Sequence, residues 1–205
     1  MCTRFYIEPE TEELKAVLKA VQGSRLVRKF LKAGDAVLTS GEIRPSNVVP
    51  AIAPDPEGRP AVYPMRWGFK IPEKSLIVNA RSETAAEKYM FREAWKKHRC
   101  VIPASWYYEW EHLIGSAGQK VTGRKFMIQP RNTQAAYLAG LYRIEDGLPV
   151  FTVLTRDAEG EMKRIHDRMP VILPRTLIAE WVRPDGSPEH VISKALRDVI
   201  AEVCP

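Results

Sequence analysis

The feature that most constrains the fold is a series of short apolar runs separated by turn residues, with no regular alternation of strand and helix. A parallel sheet requires such alternation, because each parallel strand is followed by a long crossover. Short strands joined by glycine- and proline-containing connections instead pair mainly with antiparallel neighbours. We therefore expect an α+β fold with a largely antiparallel, barrel-like sheet flanked by helices. Short strands are expected within residues 33–64 and at 76–78, 100–102, 106–110, 126–128, 136–141, 150–154 and 171–173.

Four segments carry the periodicity or the end signals of helices. The segment 11–21 places leucine and valine at helical spacing behind two glutamates, which suit a helix N-terminus. A second helix is expected from Thr84 to about residue 97, because Thr84 and Glu87 have the spacing of a capping box. Two more helices are expected near 175–181 and 189–203, and a glycine-rich hairpin loop over 115–123.

Length and composition indicate an ordinary globular protein with one domain, residues 1–205. The formal net charge of +6 indicates an anionic partner, most often nucleic acid. Cys2, Cys100 and Cys204 have neither metal-ligand spacing nor the pattern of a disulfide framework, so we expect a reducing compartment, no metal and no cofactor. No signal-peptide pattern and no apolar run of about 18 residues is present, which predicts a cytoplasmic protein that is not bound to a membrane.

The N-terminal sequence Met-Cys offers unusual chemistry if the initiator methionine is removed. Cys2 would then carry a free α-amine and a thiol on adjacent carbons, which no internal cysteine provides. Such an aminothiol condenses with an aldehyde to an imine, and the sulfur then closes a thiazolidine ring. The ordinary pKa values, about 8 for the amine and about 8.5 for the thiol, leave part of each nucleophilic near neutral pH. The alternative is that Cys2 is simply the second residue of a frayed terminus.

Four internal polar residues lie where a purely structural chain has little use for them. Asn79 and Arg81 follow an apolar run, Glu109 lies among aromatic residues, and His166 precedes another apolar run. Packing against Trp106, Tyr108 and Trp110 would desolvate Glu109 and raise its pKa, and a histidine exchanges protons near neutrality without any perturbation. The structural alternatives are an outward-facing Glu109, a turn or cap for Asn79, a solvated ion pair for Arg81 and a core hydrogen bond for His166.

Five blocks in order make the sequence recognisable: Met-Cys-x-Arg-Phe, Trp-Gly-Phe, Asn-Ala-Arg-x-Glu-Thr, Tyr-Glu-Trp and Ile-His-Asp-Arg-Met-Pro. Together they resemble the SOS-response-associated peptidase family, the SRAP domain, from Cys2 to about residue 181. Members of that family remove their own initiator methionine. They join the exposed cysteine to the open-chain aldehyde of an abasic site in single-stranded DNA, and the product is a thiazolidine crosslink.

The resemblance implies catalytic roles for four residues. Cys2 would be the crosslinking nucleophile, and Asn79 would hold the sugar or the N-terminal amine. Glu109 would shuttle protons during amine activation and Schiff-base formation, while His166 would assist opening of the deoxyribose ring. Autopeptidase activity toward Met1 and lyase or crosslink-reversal activity are further implied. Because ring closure removes the imine that promotes β-elimination, we expect protection of the strand and not incision.

The resemblance also implies DNA contacts and partners. Arg4 and Arg81 would grip phosphates beside the lesion, and Trp67 and Phe69 would present apolar faces to the bases. The expected partners are single-stranded DNA with abasic sites and replication-fork proteins, for a monomer associated with the nucleoid when it is bound to DNA. Thr3 and Trp106 depart from the family, which commonly has glycine at both positions.

Two other classes of function remain open at this point. An N-terminal-nucleophile hydrolase of the glutamine amidotransferase type also begins with a processed cysteine, but it gives Arg81 and Trp67 no role. A plain nucleic-acid-binding module needs only the basic charge and the aromatic residues, with Cys2 incidental. The predicted loop 111–124 would contact DNA through Lys120, Arg124 and Lys125, or be solvated, and we favour solvation.

Overall fold

Strands dominate the computed structural model, which describes residues 2–71, 75–116 and 118–204. Their bounds are β1 Arg4–Ile7, β2 Gly41–Ile43, β3 Val48–Pro54, β4 Pro60–Trp67, β5 Asn79–Arg81, β6 Arg99–Ala104, β7 Trp106–Ile114, β8 Lys120–Pro130, β9 Ala136–Glu145, β10 Leu148–Asp157, β11 Arg168–Pro170, β12 Ile172–Leu173 and β13 Val199–Val203. The helices are α1 Glu12–Gln22, α2 Arg25–Lys32, α3 Ser82–Ala85, α4 Tyr89–Lys97, α5 Ile178–Val182 and α6 Pro188–Ser193.

Five strands close on one another as a barrel, in the order β10-β4-β3-β6-β9, with β9 pairing again with β10. Most of these pairings are antiparallel, and the β10–β4 pairing is parallel. Gly140 permits the close packing of this wall, since a Cβ there would lie 2.9 Å from the carbonyl oxygen of Thr152 and 2.6 Å from Cδ1 of Ile102. The α+β class and the largely antiparallel, barrel-like sheet predicted from the sequence are confirmed.

The second sheet has the order β13-β8-β7-β1-β2, in which the N-terminal strand β1 is an inner strand and not an edge strand. Strand β1 lies between β2 and β7, so the residues next to Cys2 are fixed by pairing on both sides. Apolar residues of both sheets join in one cluster, which contains the stacked rings of Trp67 and Phe151, 6.0 Å apart, and Phe5 beside Trp67. The short connection through Ser105 places β6 of the barrel directly before β7 of this sheet.

Strand β10 is the element on which the two polar motifs meet. Its Val153 and Thr155 pair with Asn79 and Arg81 of β5, and its Asp157 pairs with Arg168 of β11. Asn79 and Arg81 are therefore strand residues themselves, whereas the sequence suggested that the strand ended at residue 78. In the predicted strand 76–78, Ile77 forms an isolated bridge with Phe69, and the Val78 carbonyl oxygen accepts the Val153 N–H at 3.0 Å.

The helix predicted at 11–21 is confirmed as α1, which buries Leu14, Leu18 and Val21. The helix predicted from Thr84 is interrupted, because α3 ends at Ala85 and α4 begins at Tyr89. The capping-box prediction is wrong, since the Thr84 hydroxyl is buried and finds no hydrogen-bond partner among the described residues. The sequence pattern did not predict helix α2, whose only buried residue is Phe30.

Two predictions near the C-terminal half need correction. The expected helix 189–203 is the short helix α6 followed by strand β13, because the β-branched residues Val199 and Ile200 pair with β8. The expected loop 111–124 is mostly a hairpin, in which β7 runs to Ile114 and β8 begins at Lys120. Within the predicted glycine-rich loop, Ala117 lies outside the described residues.

Helices in the described part of the chain are short, and none is long and apolar enough to cross a membrane.

Candidate functional site

The Cys2 thiol is fully buried two residues before β1, in the core cluster to which both sheets contribute. It donates a hydrogen bond to the carbonyl oxygen of Arg4 at 3.6 Å. Burial raises the pKa of this thiol to about 12, and the neighbouring charge of Glu109 adds to the increase. The thiol is therefore protonated at neutral pH and needs a base before it can attack. Met1 lies outside the described residues.

Asn79 fixes the backbone of Cys2 from strand β5. Its side-chain Nδ2 donates to the Cys2 carbonyl oxygen at 2.8 Å, across 77 positions of sequence. Its Oδ1 is buried and has no hydrogen-bond partner among the described residues. A buried acceptor without a donor costs free energy unless a ligand or water satisfies it, so Asn79 offers an acceptor beside Cys2.

Glu109 lies on the inward face of β7 and is only 3% exposed. Burial raises the pKa of this carboxyl, as the sequence predicted, and excludes the outward-facing alternative. The expected cause needs correction, because alternation along β7 turns Trp106, Tyr108 and Trp110 to the opposite, partly exposed face. The residue that shares the inward face with Glu109 is Tyr107.

Tyr107 is a member of this group that the sequence analysis missed. It is fully buried, and the pKa of its hydroxyl is raised well above its usual value by burial and by the nearby charges of Cys2 and Glu109. Its hydroxyl has no hydrogen-bond partner among the described residues. The period-two alternation of β7 could have indicated it, since Tyr107 stands two positions from Glu109.

His166 lies between a 3-10 helix, Gly160–Arg164, and strand β11, and it is 4% exposed. Its Nδ1 accepts the backbone N–H of Arg168 at 2.9 Å and lies 2.7 Å from the carboxylate of Asp167. The ring of His112 on β7 lies 3.9 Å from that of His166, centroid to centroid. Burial lowers the pKa of His166 to about 4, and the His112 charge contributes in the same direction. The contact with His112 therefore places His166 beside β7, the strand that also carries Glu109.

A second missed feature joins the two polar motifs. The Arg168 guanidinium donates to both carboxylate oxygens of Glu83, at 2.8 and 2.9 Å, and to the carbonyl oxygen of Thr155 at 2.8 Å. Partial burial favours the neutral acid, but these hydrogen bonds outweigh it and lower the pKa of Glu83. Both residues stand in the recognised blocks, yet nothing in the sequence showed that they contact each other.

The two arginines expected at phosphates have different surroundings. Arg4 is partly buried, donates to the Thr3 carbonyl oxygen at 2.7 Å and lies 3.4 Å from the Glu42 carboxylate. Arg81 is exposed at the end of β5, and in residues 2–71, 75–116 and 118–204 we find no ion pair for it. Arg81 is therefore available to an anionic ligand, whereas Arg4 would have to release the Glu42 carboxylate before it could bind one.

The expectation that Trp67 and Phe69 face nucleic-acid bases is corrected by the structure. Both rings are fully buried. Trp67 stacks on Phe151, and its indole N–H donates to the Val78 carbonyl oxygen at 2.9 Å. Phe69 is covered by the Arg143 guanidinium, 4.4 Å from the ring centroid. Neither ring presents a face to a base, because the Trp-Gly-Phe block belongs to the barrel core.

The two departures from the family pattern lie at the edge of the site. The Trp106 ring stacks on Tyr6, with centroids 4.6 Å apart, on the face of β7 opposite Glu109. Its bulk therefore stays outside the inward face that holds Tyr107 and Glu109. Thr3 is partly buried and uses its carbonyl oxygen to hold Arg4.

The cations of the β7–β8 hairpin divide into two groups. Arg124 pairs with Glu111 at 3.3 Å, and Lys125 pairs with Glu42 at 3.0 Å. Lys120, in contrast, lines a cavity of about 230 Å³ beside His166, together with His112, Lys163, Arg164 and Asp167. This side of the site is basic and open to solvent.

Comparison with known proteins agrees with this geometry. Residues 1–203 match the family model described as SOS response associated peptidase (SRAP), and the chain belongs to that family. It is 36% identical over 180 residues to the abasic site processing protein YoaM of Bacillus subtilis (strain 168), which covers 79% of this chain and 77% of that protein. It is 27% identical over 147 residues to the abasic site processing protein YedK of Escherichia coli (strain K12), which covers 69% of this chain and 61% of that protein.

Solved structures share the fold. A crystal structure of a Bacteroides thetaiotaomicron protein superposes with a TM-score of 0.72 at 21% identity, covering 100% of this chain and 92% of that one. A phage-related protein of Bordetella bronchiseptica gives a TM-score of 0.72 at 24% identity, with 99% of this chain and 94% of that one covered.

Proposed function

We propose that this protein processes abasic sites in single-stranded DNA by forming a thiazolidine crosslink through Cys2 after Met1 is removed. The observation that carries the proposal is the position of Cys2, whose carbonyl is held by Asn79 while its buried thiol lies in the field of Glu109. The relatives at 36% and 27% identity, both abasic site processing proteins, support the choice of lesion.

The chemistry balances without any further reactant. The α-amine of Cys2 adds to the aldehyde carbon of the open-chain sugar, and loss of one water from the carbinolamine gives the imine. The thiol sulfur then adds to the same carbon, and its proton passes to the imine nitrogen, which becomes a secondary amine. Since the bonds formed are C–N and C–S and no electrons are gained or lost, the reaction requires neither cofactor nor oxidant.

Glu109 is the residue suited to move these protons. A carboxyl with a raised pKa can give a proton to the departing hydroxyl of the carbinolamine and accept one from the thiol afterwards. The thiol of Cys2 requires such a base, because its own pKa is far above neutral. The amine therefore reacts first and the sulfur second.

Asn79 and His166 position the reactants in this proposal. Oδ1 of Asn79, which has no partner among the described residues, accepts a hydrogen bond from the amine or from a sugar hydroxyl, while its Nδ2 keeps the Cys2 carbonyl in place. His166 assists opening of the deoxyribose ring at its oxygen. Its ring orientation is fixed by the backbone N–H of Arg168.

DNA is held by charge in this proposal, and not by stacking on Trp67 or Phe69. Arg81 is exposed and takes a phosphate next to the lesion, and Arg4 takes another in exchange for Glu42. Guanidinium–phosphate contacts of this kind carry no sequence information, which suits a protein that must find a lesion in any sequence.

The proposed outcome is protection of the strand. An imine acidifies the neighbouring sugar carbon and promotes β-elimination, whereas the thiazolidine no longer contains it. Lyase activity is the expected side reaction wherever ring closure is slowed. Crosslink reversal would use the same proton transfers in the opposite order.

Autopeptidase activity toward Met1 is the second part of the proposal. The Cys2 thiol attacks the Met1 carbonyl carbon, with Glu109 as its base and His166 assisting proton transfer. The Met1–Cys2 amide is thereby converted to a thioester with the Cys2 amine as leaving group, and water hydrolyses the thioester to release methionine. Intact mass of protein translated with a methionine aminopeptidase inhibitor tests this part: wild type should lose Met1 and Glu109→Gln should retain it. Equal processing of both proteins would assign the removal to the general aminopeptidase.

We place the protein in the cytoplasm, bound to the nucleoid when it meets damaged DNA, as a monomer with replication-fork proteins as its partners. The unpaired thiols of Cys2, Cys100 and Cys204 are consistent with a reducing compartment. Size-exclusion chromatography with light scattering, with and without single-stranded DNA, checks the oligomeric state.

The deciding experiment incubates protein lacking Met1 with a single-stranded oligonucleotide carrying one abasic site, followed by denaturing gel and intact mass. We expect a lesion-dependent adduct with the mass of protein plus oligonucleotide less one water. Cys2→Ala and protein retaining Met1 should form none, while Cys204→Ala, a matched cysteine at the far end of the chain, should react normally. Strand cleavage without an adduct, or hydrolysis of glutamine instead, would overturn the proposal.

A further inference from the structure

His112, His166 and Asp167 form a cluster that neither the family resemblance nor the proposed chemistry uses as a unit. One ligand atom from each of the three lies within 4.8 Å of the other two. The sequence alone does not reveal this cluster, because His112 is on β7 whereas His166 and Asp167 lie just before β11. We propose that these three residues bind a divalent transition-metal ion, with Zn²⁺ as the physiological candidate.

The backbone holds the two ligand-bearing segments together before any ion arrives. The N–H of His112 donates to the carbonyl oxygen of Ile165 at 2.8 Å, which ties β7 to the residue before His166. A β-bulge between Trp110 and His112 interrupts the regular pairing of the hairpin at this point. Bulges redirect the side chains next to them, and here the result is that the His112 ring lies 3.9 Å from the His166 ring.

The donor atoms converge in a way that a cation would stabilise. Nδ1 of His166 accepts the N–H of Arg168 and lies 2.7 Å from an Asp167 oxygen, so Nε2 is the ring nitrogen that would bind an ion. Bonds of about 2.1 Å to nitrogen and oxygen require donors closer together than 4.8 Å, and rotation of the exposed His112 and Asp167 side chains provides the remaining approach.

The surroundings favour zinc, copper or nickel over calcium or magnesium. Calcium and magnesium depend on several oxygen ligands and on negative charge, whereas imidazole nitrogen suits the later transition metals. Lys120, Lys163 and Arg164 line the same cavity, about 230 Å³ in volume, and repel every divalent cation, so binding would depend on the strength of the bonds from imidazole nitrogen. The cavity leaves room for water or an anion to complete the coordination.

Occupancy would regulate the site, a consequence that rests on the proposed function. A metal bound to His166 occupies the imidazole that assists ring opening. Crosslinking should therefore slow as Zn²⁺ rises and recover when a chelator removes it.

The binding experiment uses Cys2→Ala protein, so that the N-terminal thiol cannot contribute, and measures Zn²⁺ by isothermal titration calorimetry and Co²⁺ by visible absorption. We expect one site, with a cobalt spectrum that lacks thiolate charge-transfer bands. His112→Ala and Asp167→Asn should each weaken binding about tenfold or more, and His190→Ala, an exposed histidine elsewhere, should not. Absence of binding, or equal affinity in the His112→Ala variant with unchanged circular dichroism, would overturn the proposal.

The functional arm compares crosslinking rates with and without Zn²⁺ in protein that has Cys2 and lacks Met1. His112→Ala should lose the inhibition relative to its own metal-free rate, which separates this site from chelation by the N-terminal aminothiol. If no adduct forms even without metal, the proposed function fails while the calorimetry still decides the metal site. If binding is present but crosslinking is unaffected by Zn²⁺, the regulatory consequence is wrong.

Discussion

The Glu83 carboxylate receives two hydrogen bonds from the Arg168 guanidinium, at 2.8 and 2.9 Å, although 85 positions separate the residues in sequence. Glu83 follows Asn79 and Arg81 in one block, and Arg168 follows His166 in the other. This pair therefore fixes the distance between the group that holds Cys2 and the histidine. Its importance is geometric, since in the described part of the chain neither side chain is hydrogen-bonded to the Cys2 thiol.

Glu83→Gln should reduce crosslinking and stability together. The Arg168 side chain is 7% exposed and would lose one of its two charged partners, since Asp157 also pairs with it, and Glu83 is 43% exposed, so solvent screens part of the loss. We expect a destabilisation of about 1–3 kcal/mol in denaturant unfolding. Glu93→Gln removes a solvated ion pair with Lys97 and should cost about 0.5 kcal/mol or less. Equal effects of the two changes would contradict the role assigned to Glu83.

Asn79→Asp should slow crosslinking with little loss of fold. The substitution keeps the size of the side chain but replaces the N–H that the Cys2 carbonyl accepts with a second acceptor. Loss of one such hydrogen bond corresponds to a rate about tenfold lower. Asn47→Asp is the control, because Asn47 uses its oxygen to accept the Arg44 N–H and aspartate preserves that bond. Single-turnover rates on the abasic oligonucleotide give the comparison.

Glu109→Gln should abolish crosslinking yet stabilise the fold at neutral pH. Because the folded pKa of Glu109 is raised, its stabilising protonated form is retained below the unfolded pKa of about 4.3 and lost as pH rises through the folded value. The melting temperature of the variant should therefore exceed that of wild type increasingly from acid to neutral pH.

Glu111→Gln provides a control of opposite sign for this titration. A hydrogen bond from Arg124 lowers the pKa of Glu111, so its contribution is present above the unfolded pKa and lost as pH falls. Its replacement should leave stability unchanged or slightly lower at neutral pH. A Glu109→Gln curve parallel to wild type would show that burial does not determine the titration of this carboxyl.

Alkylation should distinguish the three thiols in native protein that retains Met1. Cys204 is partly exposed, whereas Cys2 and Cys100 are fully buried. Burial raises the pKa of Cys2 to about 12, and each pKa unit reduces the reactive thiolate about tenfold. Mass spectrometry after iodoacetamide treatment should show Cys204 modified first. Rapid labelling of Cys2 would instead indicate that the N-terminal segment opens from the sheet.

Arg81→Ala should weaken binding to intact single-stranded DNA and flatten its salt dependence. One lost phosphate contact on a single strand reduces the slope of log affinity against log salt by about 0.7. Arg59→Ala removes an exposed arginine that already pairs with Asp55 and Glu57, and it should leave the slope unchanged. Fluorescence anisotropy over a salt series supplies both slopes.

The sequence predicted the architecture better than its details. Short strands joined by turn residues predict a largely antiparallel, barrel-like sheet whatever the exact ends of the strands. The pattern around Val199 and Ile200, in contrast, is compatible with a helix until β8 is known to lie beside it. Likewise, Trp67 and Phe69 cannot be assigned to surface or core from an aromatic-glycine-aromatic block, because both locations favour aromatic residues.

For the candidate site, the family resemblance located Cys2, Asn79 and Glu109, and the structure brings those three together. What the sequence could not supply were contacts across distant positions, such as His112 with His166. Such pairs depend on strand register and on the bulge in β7, which no local pattern encodes.

Strand β10 gives the chain an uneven tolerance for insertions and deletions. Asn79 is paired with Val153 and Arg168 with Asp157. The spacing of four positions between Val153 and Asp157 along β10 therefore sets the distance between the two motifs. A single residue gained or lost between them would shift one motif by about 3.3 Å and turn every following side chain to the other face. The tip of the β7–β8 hairpin does not set the distance between these motifs, and chain length can vary there without disturbing the groups around Cys2.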